Sequence, residues 1–302
     1  MLDFRIETFL TLCRVMNYTR TAEILNVTQP TVTQHIRYLE EEYDCKLFSY
    51  AGKTLSLTPQ GERLRDFALS MSYNSQCIQE RMRQGRKQQP VMRIGATKTI
   101  GEFVIGPILS AYLRENPERR LSLQVDNTHT LLGLLERGEL DFAVVEGFFD
   151  KSKYGYRLYK NETFFGVCAA DHPLADRVLT IDDIMTQNII IREPGSGTRA
   201  IFEQLLKQHN YSFESITQTT VISDFAVIKQ LVCDQIGIAF LYEPVVHAEL
   251  KSGKLKKLRL DCMQAQREFN YVFLKDALFL NDWQAFLHGG EESLICREGI
   301  KS

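Results

Sequence analysis

A chain of 302 residues, 44% hydrophobic and 25% charged, is long enough for two or three folded units, each with a core that needs no staples. A formal net charge of -2 excludes bulk positive charge as the means of holding a polyanion. Seven cysteines, an odd number with no CxxC pair, read as reduced thiols and not as a disulfide frame or a zinc site, and no run of ~18 apolar residues offers a membrane span.

The first helix is predicted from Phe4, Phe9, Leu12 and Val15, which recur at roughly helical spacing until Asn17-Tyr18 breaks the pattern. The charges of Asp3, Arg5 and Glu7 do not suit a signal peptide, so a cytoplasmic protein is expected. Thr19 is the expected N-cap of a short second helix through Leu25, with Ala22 and Leu25 facing inward. Asn26-Val27-Thr28 is then a turn. Thr28 caps a third helix, in whose first turn Pro30 is tolerated because the N–H groups there are orphaned. Val32, Ile36 and Leu39 form the buried stripe of that helix. Two short helices joined by a tight turn make a helix-turn-helix, whose second helix can enter a major groove.

The stretch VTQPTVTQHIR (27–37) then gains a function. With Val32 and Ile36 inward, Thr28, Gln29, Pro30, Thr31, Thr33, Gln34 and Arg37 lie on other faces. Gln pairs bidentately with adenine, a Thr methyl touches thymine, and Arg holds guanine or phosphate. The segment LFSYAGKTLSLTPQG is a small β-wing with Leu55 and Leu57 alternating around a turn at Ala51-Gly52-Lys53, where Lys53 adds a DNA contact. The plainer reading is a helical bundle whose polar face is only solvated. Residues 1–58 hold six Lys/Arg and seven Asp/Glu, so one copy should bind DNA weakly, and pairing of two copies has to compensate.

In residues 59–90, Leu64, Ala68, Met71, Ser75, Ile78 and Met82 step as a heptad seam, and Arg81, Arg83, Arg86 and Lys87 cluster at its end. This is either an amphipathic helix packed on its own domain or a linker paired with a second chain. Gln88-Gln89-Pro90 marks the boundary.

Residues 91–302 change rhythm. VMRIGA, LSLQV, DFAVVEG, FFGVCA, NIIIRE, QTTVI, IGIAFLY and YVFLK are strand-like. Helical stretches 102–115, 129–138, 198–209, 224–235 and 281–287 lie between them, which implies an α/β unit with one open sheet or two small ones. Ligands of such sheets sit beyond the strand ends, at helix starts. GATKTIGEF places Thr97, Lys98 and Thr99 at one such start, and REPGSGTR places Ser196, Gly197 and Thr198 at another. Free N–H groups there suit a small anion, although a Gly/Ser cluster is often only a cap and turn. Glu146-Gly147 ends another strand.

FLTLCRVMNYTRTAEILNVTQPTVTQHIRYLEEEYDCKLF…LSLTPQG resembles the winged helix-turn-helix of LysR-type transcriptional regulators through about sixty ungapped positions. Ser49-Tyr50 and Gln34 depart from it, standing where the family commonly has arginine. RIGATKTIGEFVIGPIL, VDNTHTLLGLLERGELDFAVVEG and IREPGSGTR are similar to the effector domain of the same family, closest to its branch governing sulfur or inorganic-carbon assimilation. The resemblance implies an all-α winged helix-turn-helix (1–58), a dimerising linker helix (59–90) and an effector-binding domain (91–302) of periplasmic-binding-protein-like form. That domain would have two Rossmann-like subdomains, 91–162 with 266–302 and 163–265, and a small effector between them. By match of motif the cleft residues are Thr97, Thr99, Ile100, Asn127, Thr128, Ser196, Gly197 and Thr198, with Lys98 beside them and Glu146 lining the hinge side. The implied partners are double-stranded promoter DNA, a small effector and further copies of the chain as a homodimer or homotetramer. RNA polymerase stays open as another, and no membrane or cofactor is expected.

Two other classes compete. An enzyme would need a site such as Cys168 with His172, but the pair lacks a third orienting group, and Asp182-Asp183 suits a helix start better than acid/base chemistry. A solute-binding module would fit 91–302 alone. Neither needs the N-terminal unit, so the expectation is a ligand-responsive regulator and not an enzyme.

Overall fold

The computed structural model describes residues 3–52, 54–84, 91–275, 277 and 286. Lys53, the boundary stretch 85–90 and, apart from Phe286, the helix expected at 281–287 lie outside the described residues, as do the side chains of Arg81 and Arg83.

Helix α1 (Phe4–Val15) is capped by Asp3, whose carboxylate accepts from Arg5 N at 2.8 Å, and ends at Met16 in the left-handed region. Helix α2 (Tyr18–Leu25) begins two residues earlier than Thr19 predicts. Asn17 is its cap, accepting from Arg20 N at 2.9 Å, and its carbonyl also takes the Thr21 hydroxyl. Helix α3 (Gln29–Glu42) starts at its Thr28 cap with Pro30 in the first turn, and Val32, Ile36 and Leu39 are buried beneath it. Ile36 and Leu39 close a core with Phe9, Leu12, Leu47 and Leu55, each such side chain contributing roughly 1.5–3 kcal/mol on burial.

Strands β1 (Phe48–Ala51) and β2 (Thr54–Leu57) form the wing, with Ala51 opposite Thr54. Three groups clamp its base. Glu40 accepts from Leu47 N at 3.0 Å, Thr58 Oγ1 donates to Lys46 O, and Gly61 N donates to Thr58 Oγ1 at 3.0 Å. A Cβ on Gly61 would stand 2.1 Å from Leu47 O. Gly61→Ala must therefore push the wing off helix α4 (Pro59–Gln84), and a loss of about 1–3 kcal/mol in the unfolding of this domain is expected. An unchanged thermal midpoint would contradict the close approach.

Helix α4 shows two stripes where its sequence suggests one. Of the expected seam, Ala68 is buried while Met71, Ile78 and Met82 are exposed. Leu69, Tyr73 and Cys77 form a second stripe that joins a core with Leu131, Leu135, Leu140, Val145 and Val272 of the C-terminal unit. Tyr73 donates to Asp141 Oδ1 at 3.0 Å, and Asp141 also holds Arg93 by its backbone N (2.6 Å) and by Nη2 (2.9 Å). A heptad count follows one face only, so this contact is not visible in it.

The C-terminal strands are β3 (Val91–Thr97), β4 (Arg120–Asp126), β5 (Phe142–Glu146), β6 (Tyr154–Ala169), β7 (Asn188–Ile191), β8 (Gln218–Val221), β9 (Ile238–Tyr242), β10 (Leu255–Lys257) and β11 (Ala265–Leu274). They form one path, β4-β3-β5-β11-β6-β9-β7-β8, with β10 on β6. Two parallel trios, β4-β3-β5 and β9-β7-β8, flank the antiparallel crossing strands β11 and β6. FFGVCA and YVFLK mark only the buried ends of these long strands; their other halves alternate in burial and carry charge. The helices are α5 (Lys98–Phe103), α6 (Ile105–Glu115), α7 (Thr128–Glu136), α8 (Ile181–Met185), α9 (Gly197–Gln208), α10 (Phe225–Cys233) and α11 (Glu243–Lys251). The single helix expected at 102–115 is two, meeting at Val104, and α11 has no counterpart in the sequence expectations. Asp182-Asp183 open α8, where Thr180 and Asp183 form a capping box.

Candidate functional site

Two polar surfaces stand out. The first is the exposed start of α3. Thr28, Gln29, Pro30, Gln34 and Arg37 are exposed, and Thr31 and Thr33 are half-buried. Neighbouring groups hold one another: Thr28 and Thr31 hydroxyls lie 2.8 Å apart, and Gln29 Nε2 donates to Thr33 Oγ1 at 3.3 Å while Thr33 Oγ1 donates to Gln29 O at 3.1 Å. Gln29 is thus braced with its amide outward, which limits the rotamer entropy lost on meeting a base edge. His35, on the same stretch, turns back and pairs with Thr8 Oγ1 at 2.9 Å, edge-on to Phe4. It is structural. Only Arg37 among these residues carries charge. The face can recognise bases; it cannot hold many phosphates.

The second surface is a cleft where β3, β5 and β7 end and α5, α7 and α9 begin. Strand β7 runs opposite to β3 and β5 across the antiparallel β11 and β6, so the two trios bring their carboxyl ends to the gap from opposite sides, and the helices that follow begin there. Thr97, Lys98, Asn127, Thr128, Glu146, Ser196 and Gly197 line a cavity of ≈ 160 Å³. That is smaller than the roughly 300–1,000 Å³ of drug-sized sites, so the space suits a ligand of few heavy atoms. Asp126, Arg192 and Glu193 line it too, and the sequence expectations lack them. Arg192 and Glu193 fall inside the quoted motif IREPGSGTR, where nothing in the sequence separates them from surface charges.

The cleft is rigidly built. Ser196 caps α9 by accepting from Arg199 N at 3.2 Å, and Asn127 caps α7 by accepting from Thr130 N at 2.9 Å. Thr128 Oγ1 donates to Glu146 O at 3.2 Å, and Thr97 Oγ1 accepts from Glu146 N at 3.3 Å. Gly147 turns the chain at φ +90°, a conformation that favours glycine. Thr99 is fully buried and donates to Glu146 Oε1 at 2.8 Å, so it supports the cleft wall from behind. Thr198 is buried at the same depth as Glu146. Ile100 is a correction: its side chain lies in the apolar core with Val104 and Phe142, because helix periodicity turns it away from the cleft.

The electrostatics are near balance. Arg192 is 2% exposed, stacks 4.3 Å over Phe225 and grips Glu193 through Nε (2.8 Å) and Nη2 (2.9 Å). Lys98 Nζ lies 3.7 Å from Glu193. Burial would raise the Glu193 carboxyl, but the Arg192 hydrogen bonds and the Lys98 charge hold it below its ordinary value. Burial pushes Glu146 up to about 7 against the pull of Thr99 and Arg192.

The weighed enzyme site is unfit. Burial pushes the Cys168 thiol up to about 11, and His172 Nδ1 is spent accepting Leu174 N in a turn.

Comparison with known proteins agrees with this architecture at both ends. Residues 5–62 match the family described as bacterial regulatory helix-turn-helix protein, lysR family, and residues 85–288 match the LysR substrate binding domain. The HTH-type transcriptional regulator CysL of Bacillus subtilis is 25% identical over 269 residues, 88% of this chain and 89% of that protein. A full-length OxyR variant from Pseudomonas aeruginosa superposes with a TM-score of 0.59 at 20% identity, covering 96% of this chain and 99% of that one. The CcmR regulatory domain of Synechocystis PCC6803, solved in complex with 2-PG, gives 0.58 at 21% identity, covering 66% of this chain and 97% of its own.

Proposed function

The chain belongs to the LysR family of DNA-binding transcriptional regulators, whose members are not enzymes, and on that premise we propose that it recognises paired DNA half-sites as a homo-oligomer under control of a small anionic metabolite. The observation that supports this most is a neutral polar face, Thr28 braced to Thr31 and Gln29 to Thr33 with Gln34 exposed beside them, over a buried Val32-Ile36-Leu39 stripe. Such a face discriminates bases through amide and hydroxyl groups while supplying little non-specific grip. The exposed seam Met71, Ile78 and Met82 on α4 offers the apolar surface through which a second chain supplies the second reading head.

An anionic effector suits the cleft because three helix starts and the Ser196 and Thr128 hydroxyls converge on it. The neighbour CcmR, which holds 2-PG, supports the same choice. The effector prefers one arrangement of the cleft and so shifts the population of DNA-bound geometries, which changes how RNA polymerase meets the promoter.

Gln29→Ala tests the reading face. Binding to DNA flanking the protein's own gene should weaken by roughly 5- to 150-fold, the worth of one good bidentate pair, with binding to scrambled DNA unchanged. An equal fall on both DNAs would remove α3 as the reading helix.

A further inference from the structure

Glu146 poses a chemical problem that an anion alone does not solve. Its side chain is 3% exposed, and Oε1 takes the Thr99 hydroxyl while Oε2, equally buried, has no hydrogen-bond partner among the described residues. Thr198 Oγ1, at the opening of α9, is likewise buried and unpartnered. The two belong to one place: a Cβ on Gly197 would stand 3.3 Å from Glu146 Cγ. Buried polar atoms in native folds are nearly always satisfied, so an open acceptor in the cavity wall, with an open hydroxyl one residue beyond the lining Gly197, marks where a ligand completes the set.

The neighbouring charges do not settle Glu146. Of the cations facing the cavity, Arg192 spends Nε and Nη2 on Glu193, and Lys98 lies against the same carboxylate. Asp126 and Glu193 add negative charge from β4 and from the end of β7, and the Tyr242 hydroxyl behind Glu146 feels that carboxylate from β9. A plain oxyanion entering here would bring a third negative charge beside Asp126 and Glu193 and would leave Oε2 open.

We propose that Glu146 selects a ligand with two ends, a negative group received at the Ser196–Thr198 start of α9 and a hydroxyl or ammonium that donates to Glu146 Oε2. The ligand class is a small hydroxy or amino acid, with a carboxylate or a phosphate as its acidic end. This rests on the reading of the cleft as the effector site and sharpens it: the acid end is held by N–H groups and hydroxyls, and the donor end is read by a carboxylate. Without a ligand, a proton on Glu146 fills the donor's place, which agrees with burial holding its carboxyl near neutrality.

The test is calorimetric titration of the full-length protein with matched probes: glycerate and serine against propionate, phosphoethanolamine against ethyl phosphate, and sulfate as an oxyanion without a donor. Buffers of different ionisation enthalpy count the protons taken up. At about pH 8 at least one donor-bearing probe should bind about tenfold tighter than its partner without proton uptake, and Glu146→Gln, which nearly preserves shape, should bring the ratio to within about threefold. Binding of the donor-less anions alone, with proton uptake, overturns the proposal, as does a ratio unchanged in Glu146→Gln or no binding of any donor-bearing probe at millimolar concentration. Gly197→Val, which fills the gap beside Glu146, separates the two failures. If it abolishes binding while donors confer no advantage, only the role of Glu146 falls; if donor-bearing probes bind it as well as the parent, the cleft itself is the wrong site.

Discussion

Met71→Glu with Ile78→Glu should lower the affinity for a DNA carrying two half-sites by roughly 10²- to 10⁴-fold while leaving each chain folded. Both side chains reach solvent in the single chain, at 40% and 44% exposed, so a glutamate at either position can keep its carboxylate in water and the chain is expected to fold. If the seam is the interface, four carboxylates enter it per dimer, and each buried charge without a partner costs several kcal/mol. Loss of the dimer then removes the effective concentration with which one bound reading head presents the other, worth about 10²–10⁴ in avidity. The N-terminal unit holds one more acid than it has bases, so a single copy has little phosphate grip to fall back on. Sedimentation should show monomer, and affinity for a single half-site should hardly change. Unchanged sedimentation with unchanged two-site affinity would place the interface elsewhere.

Glu146→Gln should stabilise the ligand-free protein at alkaline pH and change it little in mild acid. The sign follows from proton counting. Glu146 sits at about 7 in the folded chain against the ordinary 4.5, so between those values the folded state binds more protons than the unfolded, and stability falls as pH rises. The contribution is intact below the ordinary value, declines between the two and is fully lost above about 7. That shift corresponds to about 3 kcal/mol. Every other titrating group is common to both proteins, so the difference of differences between about pH 5 and about pH 8 isolates this carboxyl. A variant whose stability gain is the same at both values would show that Glu146 is not held in its neutral form.

How far the sequence could be read depends on the element. The helix-turn-helix was legible because its signals are local: the buried stripe Val32-Ile36-Leu39, the Thr28 cap and the wing alternation all lie within a few residues of what they determine. Even there Asn17 is the cap in place of Thr19, since both residue types suit a cap and only the backbone decides where the helix starts. The crossing strands β6 and β11 were half legible, because one end of each is fully buried and the other runs along a charged surface. The second stripe of α4 was hidden, because Leu69, Tyr73 and Cys77 gain meaning only from Asp141 and Val145, far along the chain.

The cleft divides in the same way. Helix starts flagged Thr97, Lys98, Ser196 and Gly197 by composition, and Asn127 and Thr128 by motif. Ile100 was misplaced because a motif does not say which way a helix turns, and Arg192 was missed because a lone arginine before a turn looks like surface charge until Phe225 and Glu193 enclose it. The open acceptor of Glu146 is a property of three dimensions alone.

Fluorescence anisotropy of the full-length protein on DNA flanking its own gene, against scrambled DNA, across a salt series and with the two-ended acids present, reads base recognition and effector control together. Sequence-selective binding that survives salt better than binding to scrambled DNA is expected, with an affinity or stoichiometry that one acid shifts in the parent but not in Ser196→Ala. Equal binding to both DNAs at every salt and with every probe would contradict it.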